Sequence, residues 1–293
     1  MLKNDRYKIL LLGVIVLLGC IRDVTIDETG TSRELVLNGI LDASKDTIIV
    51  YLSWSQPVQG NRPFESEKQA RIRLFERGQL IGEFNWKDSS IYTLPFSVKP
   101  GSTYKIEALA DGKTIWGETT VPQSLNAVIE AAHPGNVADF LISMNDNPAE
   151  KNFYWITATG YEGLEEDRKK NIACLICSNF EYADDFNRYI SENEVFKFEY
   201  DYYLRFPDNQ LSEERFQLLF RPQCVGRPLE VFLFSVDYHL DKYMKSSLLR
   251  ERMDTYATDM PIIYVPFPVY SNIHGGTGIL GSFSSVSKEF LRE

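Results

Sequence analysis

Thr103-Tyr104-Lys105-Ile106-Glu107-Ala108-Leu109-Ala110, then Asp111-Gly112, then a second run closing on Thr120-Val121-Pro122, is the stretch whose reading decides the fold. Tyr104, Ile106 and Ala108 alternate with Lys105 and Glu107, a period of two that marks a half-buried strand. Asp111-Gly112 lies between two such strands and suits a tight type I′ hairpin, because glycine accepts positive φ. Proline lacks a ladder donor and ends the second strand. After Val121-Pro122-Gln123-Ser124 the alternation is lost, which places a domain boundary there.

The same period recurs upstream. Ile48, Val50, Leu52 and Trp54 share one face of Thr47–Ser55, and Ala70, Ile72 and Leu74 alternate with Arg71 and Arg73. Arg77-Gly78 and Lys99-Pro100-Gly101 supply turns between runs. About seven short strands in some 90 residues, with regular turns, predict a β-sandwich over residues 34–122. Residues 123–293 read as a second β-rich domain. Phe153–Thr159 is apolar on both sides, Glu194–Tyr203 alternates, and Leu229–Val236 is again two-sided. A last strand pair falls at Ile262–Tyr270 and Ile279–Ser285. One amphipathic helix is expected over His239–Met253, with Leu240, Tyr243, Met244, Ser247 and Leu248 on one face and Asp237 as its N-cap. The fold class is mainly β.

The N-terminus reads as an export address. Lys3, Arg6 and Lys8 precede an apolar run, Ile9 to Leu18, that stops at Gly19-Cys20 and gives way to Arg22-Asp23. That is the layout of a secretory signal, and it is too short for the roughly 20 apolar residues of a spanning helix. Leu17-Leu18-Gly19-Cys20 resembles the lipobox of bacterial lipoproteins, although Leu18 stands where Ala or Ser is commoner. The resemblance implies that residues 1–19 are removed and that Cys20 carries diacylglycerol and an N-acyl chain. Each buried methylene contributes about 0.8 kcal/mol, and more than one chain gives stable anchoring. Residues 20–33, with Thr29-Gly30-Thr31-Ser32, then form a flexible tether. Ile21 is not the Asp that retains such proteins in the inner membrane, which directs the chain to the outer membrane. Asp23, Asp27 and Glu28 are only a dilute version of a surface-export signal.

Without residues 1–19 the formal net charge falls from −10 to −12. That surface repels phosphate backbones, so nucleic acid is excluded as a partner. Cys174, Cys177 and Cys224 remain besides Cys20, enough for one disulfide in an oxidising compartment. Cys174-x-x-Cys177 lacks the further ligands of a zinc site, and Ile172–Cys177 reads as strand rather than as the helix start of a redox motif. Core cysteines, or a bridge from Cys224 to one of the pair, are the readings left open. Gly276-Thr277-Gly278-Ile279-Leu280-Gly281 matches a dinucleotide pattern, but only 12 residues follow it, too few for a βαβ unit. Its glycines instead predict a tight turn and a closely packed last strand. No nucleophile elbow and no H-E-x-x-H occurs. Asn145-Asp146-Asn147 reads as an Asx turn, Glu165-Glu166-Asp167 and Asp184-Asp185 as solvated acids, and Trp54 and Trp155 as core. No catalytic, cofactor or metal residue is assigned, and Cys20 is the single site residue.

Leu35-Val36-Leu37-Asn38-Gly39, Thr120-Val121-Pro122, Asn152-Phe153-Tyr154 and Pro268-Val269-Tyr270-Ser271-Asn272-Ile273 with Gly275, Gly276, Gly278 and Ile279 together resemble the bacterial envelope lipoproteins called domain of unknown function 4249. Leu280 stands where an aromatic is usual, a difference of packing. The resemblance implies an immunoglobulin- or fibronectin-like sandwich followed by a family-specific β-rich domain. It also implies an accessory lipoprotein beside a TonB-dependent outer-membrane receptor in nutrient uptake, without assigned catalytic residues. The alternatives are a structural or adhesive envelope protein and, less favoured, a surface hydrolase.

Overall fold

A computed structural model describes residues 33–56, 66–133, 136–146, 150–162, 170–191, 195–208, 215–224, 228–259 and 267–291. Cys20, residues 1–19, the tether as far as residue 32, Asn147, Glu165–Asp167 and residues 262–266 lie outside them. Residues 34–55 and 63–293 gather into one compact unit.

Eight strands form in the first third of the body: β1 (Leu35–Asp42), β2 (Thr47–Trp54), β3 (Arg71–Glu76), β4 (Gln79–Glu83), β5 (Asn85–Asp88), β6 (Ile91–Pro95), β7 (Thr103–Ala110) and β8 (Lys113–Thr120). The β7–β8 hairpin turns at Asp111 (φ 48°) and Gly112 (φ 72°), both left-handed as a type I′ turn requires. Then follow β9 (Asn126–His133), β10 (Asn136–Asn145), β11 (Phe153–Glu162), β12 (Lys170–Ala173), β13 (Leu175–Ser178), β14 (Arg188–Ile190), β15 (Phe198–Tyr200), β16 (Leu204–Pro207), β17 (Arg215–Gln223) and β18 (Leu229–Val236). Helix α1 (Tyr238–Asp259) and β19 (Thr277–Phe290) complete the chain.

One nine-stranded sheet, ordered β12-β11-β18-β19-β1-β2-β6-β5 with β16 also on β11, runs beneath both halves. The four-stranded sheet β4-β3-β7-β8 closes on its β1–β2 part, burying Leu37, Val50 and Leu52 against Ile72, Leu74, Ile106 and Ile115. The six-stranded sheet β14-β15-β13-β17-β10-β9 closes on its β11–β18 part, burying Ile156, Val231 and Leu233 against Ile142, Leu218 and Phe220. Neighbouring residues of a strand face opposite ways. Tyr154, Ile156 and Ala158 of β11 therefore enter that second core, whereas Phe153 and Trp155 face the other side and pack with Leu240 of α1.

The sequence puts everything after Pro122 in the second domain, and β19 departs from that division. Thr277–Phe283 pair in parallel with Val36–Asp42, and Phe283–Phe290 pair antiparallel with Leu229–Val236. Ile273 and Leu280 belong to the first core, while Phe290 belongs to the second. The last strand is thus common to both sandwiches. The glycines fit it there: a Cβ on Gly278 (φ 119°) would sit 2.1 Å from the Leu37 carbonyl oxygen, and one on Gly276 2.5 Å from that of Leu35. The expected tight turn and close-packed strand are what these glycines make, with the leucine side chain of Leu280 set against Gly39 and Gly117.

Two other expectations change. Of the alternation over Glu194–Tyr203, Glu194 lies outside the described residues and the rest yields the three residues of β15, after which Tyr202 (φ 60°) turns the chain out of the ladder. Helix α1 starts one residue earlier than expected and runs six residues further. Leu240, Tyr243, Met244 and Leu248 do face the sheet, but Asp241 and Ser246 are buried with them.

Candidate functional site

Where the two sandwiches meet there is a cleft of about 470 Å³. Its walls are Gly101 with Glu118–Gln123, then Glu150–Asn152, then Val236–His239. The first wall is pinned to β19: Ser282 Oγ donates to the Thr120 carbonyl (3.0 Å) and Ser284 Oγ to that of Pro122 (2.8 Å). The second is held by Asp208, whose carboxylate accepts the Asn152 N–H at 2.5 Å while its own N–H donates back at 3.2 Å. Asp237 anchors the third. It accepts the N–H groups of His239 (3.2 Å) and Leu240 (3.0 Å) as the expected N-cap, and also that of Ser282 (2.9 Å). One carboxylate thus fixes both the helix start and the seam strand. Burial raises the Asp237 carboxyl above its usual range, and the three backbone donors oppose that shift.

The rim is aromatic and cationic. Tyr238 is 45% exposed, and Lys242 Nζ lies 4.6 Å over its ring and 5.5 Å over that of Tyr270. The hydrogen bond to Tyr238 holds the Lys242 ammonium above its ordinary pKa. His239 Nδ1 meets the Tyr270 hydroxyl at 2.8 Å, a pairing that positions two rings rather than a nucleophile and its base. Lys151 Nζ stands 5.6 Å over Phe153. Glu118 and Glu150 line the cleft and enter no ion pair among the described residues. Such a surface offers acceptors, two ammonium groups and a flat ring to a small polar molecule or a docking segment. Six of the fourteen lining residues come from before residue 123, so the first sandwich contributes to the cleft as well as the second.

Beneath α1 lies a polar cluster that no sequence motif announces. Asp241 accepts from Arg205 Nε (2.9 Å) and Nη2 (2.8 Å) and from Trp155 Nε1 (2.9 Å). The side chains of Arg205 and Asp241 are 6% and 5% exposed. Arg205 Nη1 also reaches Asp184 (2.7 Å), which takes Lys245 Nζ at 2.5 Å. All donors and acceptors face each other, as a buried pair requires. This is a clamp for the helix, and its signal was an arginine inside the apolar Leu204-Arg205-Phe206.

The remaining candidates disperse. Asp184 belongs to that clamp and Asp185 is exposed beside Arg188 (3.9 Å), so they form no acid–base pair. Asp146 accepts from Asn152 Nδ2 and from the Tyr154 hydroxyl, whose pKa is raised by burial and then by that carboxylate. Cys174 is bonded to Cys224. Cys177 is buried and free, its thiol pushed up to about 11 by burial. Trp155 is core, and Trp54 is partly buried at the edge of the first core with Nε1 donating to Glu67 (3.1 Å). Among the described residues no three His, Cys, Asp or Glu side chains gather as metal ligands do. No described helix is long and apolar enough to cross a membrane.

Two β-sandwiches on one shared sheet, a clamped helix and a seam cleft define a mainly β protein rather than a doubly wound α/β one. The chain belongs to the family described as domain of unknown function DUF4249, whose model matches residues 21–289. The four stretches that carry the resemblance meet at the seam: β1 lies beside β19, Thr120–Pro122 and Asn152 line the cleft, and Asn272 brackets Leu280 with bonds to its N–H (2.9 Å) and carbonyl (2.8 Å). Among solved structures, a Corynebacterium diphtheriae protein described as membrane anchored is similar at 10% identity and TM-score 0.20, over 70% of this chain and 55% of that one. An Escherichia coli alpha-2-macroglobulin fragment spanning domains MG0-NIE-MG1 is similar at 11% identity and TM-score 0.20, over 70% and 66%. Likenesses this slight carry no argument. No curated protein matches the chain.

Proposed function

We propose that this chain is an outer-membrane lipoprotein, held by lipid on Cys20, that acts without catalysis as a ligand-binding or docking accessory of a TonB-dependent receptor in nutrient uptake. The observation that carries the binding reading is the seam cleft, whose walls come from both sandwiches and whose Glu118 and Glu150 enter no ion pair among the described residues. Membership of the envelope family supports the location, as do the basic start, short apolar run and Gly19-Cys20 junction. Of the acidic side chains, Asp184 serves the clamp and Asp185 is exposed beside Arg188, which supports a non-enzymatic role.

Two measurements test it. Cys20→Ala should release the protein from the membrane fraction, and full retention would contradict the anchor. Tagged wild-type chain from gently solubilised membranes should bring down an outer-membrane barrel, and Tyr238→Ala with Glu118→Lys should weaken that capture. Recovery of the chain with no barrel would favour the structural or adhesive reading.

A further inference from the structure

A long, bare sheet edge is a template for another strand, and proteins blunt such edges by shortness, charge or cover. Most edges here are blunted among the described residues. Strands β5 and β12 have four residues, β4 five and β14 three. Strand β8 is tied at its middle by reciprocal Trp116–His274 backbone bonds of 3.1 and 2.8 Å. Strand β9 differs. It has eight residues, pairs only with β10 among the described residues, carries Glu130 as its one carboxylate, and leaves Val128 53% exposed.

Strand β19 is open on the same side. Strand β1 covers it from Thr277 to Phe283 and then stops, as Asp42 Oδ1 accepts the Ser44 N–H (2.8 Å) and turns the chain away. Ser284–Phe290 keep β18 on one side and, among the described residues, no strand on the other. Because β9 packs over β19 and β13 over β11, the two bare edges face the same way. Among the described residues, both sheets of the second sandwich therefore end unpaired along one side.

We propose that this double edge is an interface between two copies of the chain, joined by antiparallel pairing of β9 with β9 about Ile129. Facing residues of an antiparallel pair point to the same side, so the two-fold axis must pass through a residue. Centring on Glu130 sets two carboxylates against each other, and centring on Val128 shortens the overlap to Asn126–Glu130. Centring on Ile129 extends the core with Ile129 against its copy, sets Ala127 opposite Ala131, and places Val128 opposite Glu130. This strand supplies its own complement. A mature body of net charge −12 repels its copy elsewhere, and the nearly neutral edge is where two copies approach at least cost.

The test uses the full-length chain in its own membrane. Val128→Cys with Glu130→Cys, oxidised by copper–phenanthroline, should give a disulfide-linked species of twice the chain mass. Asn85→Cys with Lys87→Cys, the same spacing on the β5 edge, should not. Val128→Glu should lower chemically cross-linked dimer about ten-fold by opposing carboxylates at two symmetric positions, and adding Glu130→Lys should restore it. The cysteine pair introduces no new charge, so that arm stands even if Val128→Glu fails to fold. A missing cross-link, a cross-link to a different protein, or a dimer indifferent to Val128→Glu each overturns the proposal.

Discussion

Among the described residues of the first sandwich the buried polar side chains include the hydroxyls of Ser90, Ser102 and Thr119 and the phenols of Tyr92 and Tyr104, with no charge among them. The second half buries Asp139, Arg205, Asp208, Asp237 and Asp241. The first is therefore held by hydrocarbon contact and by the steric fit of a glycine-rich strand. The second is held in register by hydrogen-bonded charges. Hydrophobic contact is non-directional, so it closes a sandwich without dictating where an added helix lies. Charge pairs have geometry, and α1 lies where Arg205 and Asp184 can both be satisfied. The cleft sits on the line between these two regimes, framed by backbone groups that Asp208, Asp237, Ser282 and Ser284 hold in place.

The severest challenge to this contrast is Gly278→Ala. The new Cβ meets a carbonyl oxygen at a positive φ, so a loss of more than about 4 kcal/mol is expected in chemical denaturation. Because β19 serves both sandwiches, unfolding should remain one transition. A variant whose second half stays folded alone would show that the strand is not truly shared. Next comes Asp241→Ala, which strips Arg205 of its bidentate partner and should cost about 3 kcal/mol. The loss should appear first in signals from α1 and Trp155, with Trp116 in the first sandwich little changed. The mildest effect is a pH response. The Cys177 thiol titrates near 11 in the fold, above the ordinary value of 9.0. The unfolded chain thus releases that proton first. The contribution is complete below pH 9 and is lost as pH rises toward 11. Denaturation midpoints at pH 8 and pH 10 should differ less in Cys177→Ala than in the parent.

The sequence made visible what is local. The alternation of Thr103–Ala110, the Asp111-Gly112 turn, the two-sided run Leu229–Val236 and the Asp237 cap are each set by neighbours in the chain, and each appears in the fold. The glycines before Gly281 were legible as a packing device, though not which strand they approach. Contacts between distant segments leave no period. Nothing near Asn38 marks it as the acceptor for the Ile279 N–H, 241 residues away. Cys224 gave no sign of choosing Cys174 over Cys177, because strand register decides which sulfur faces it. Arg205 reads as an outward residue of a short strand until Asp241 is brought over it. The cleft was hidden for the same reason, since its walls are far apart along the chain.

The parallel pairing of β1 with β19 also sets a timetable. Strand β1 is synthesised well ahead of its neighbour, since Val36 pairs with Thr277, 241 residues later. At roughly 5–20 residues per second, the intervening stretch takes on the order of 10–50 s to synthesise. Until then the first sandwich lacks one of its strands, and the hydrogen-bonding edge of Leu35–Asp42 is open to wrong partners. A chain cut short before Thr277 is denied the whole of its architecture rather than just its tail. Strand β19 thus closes the shared sheet only after the other strands of both sandwiches have been made.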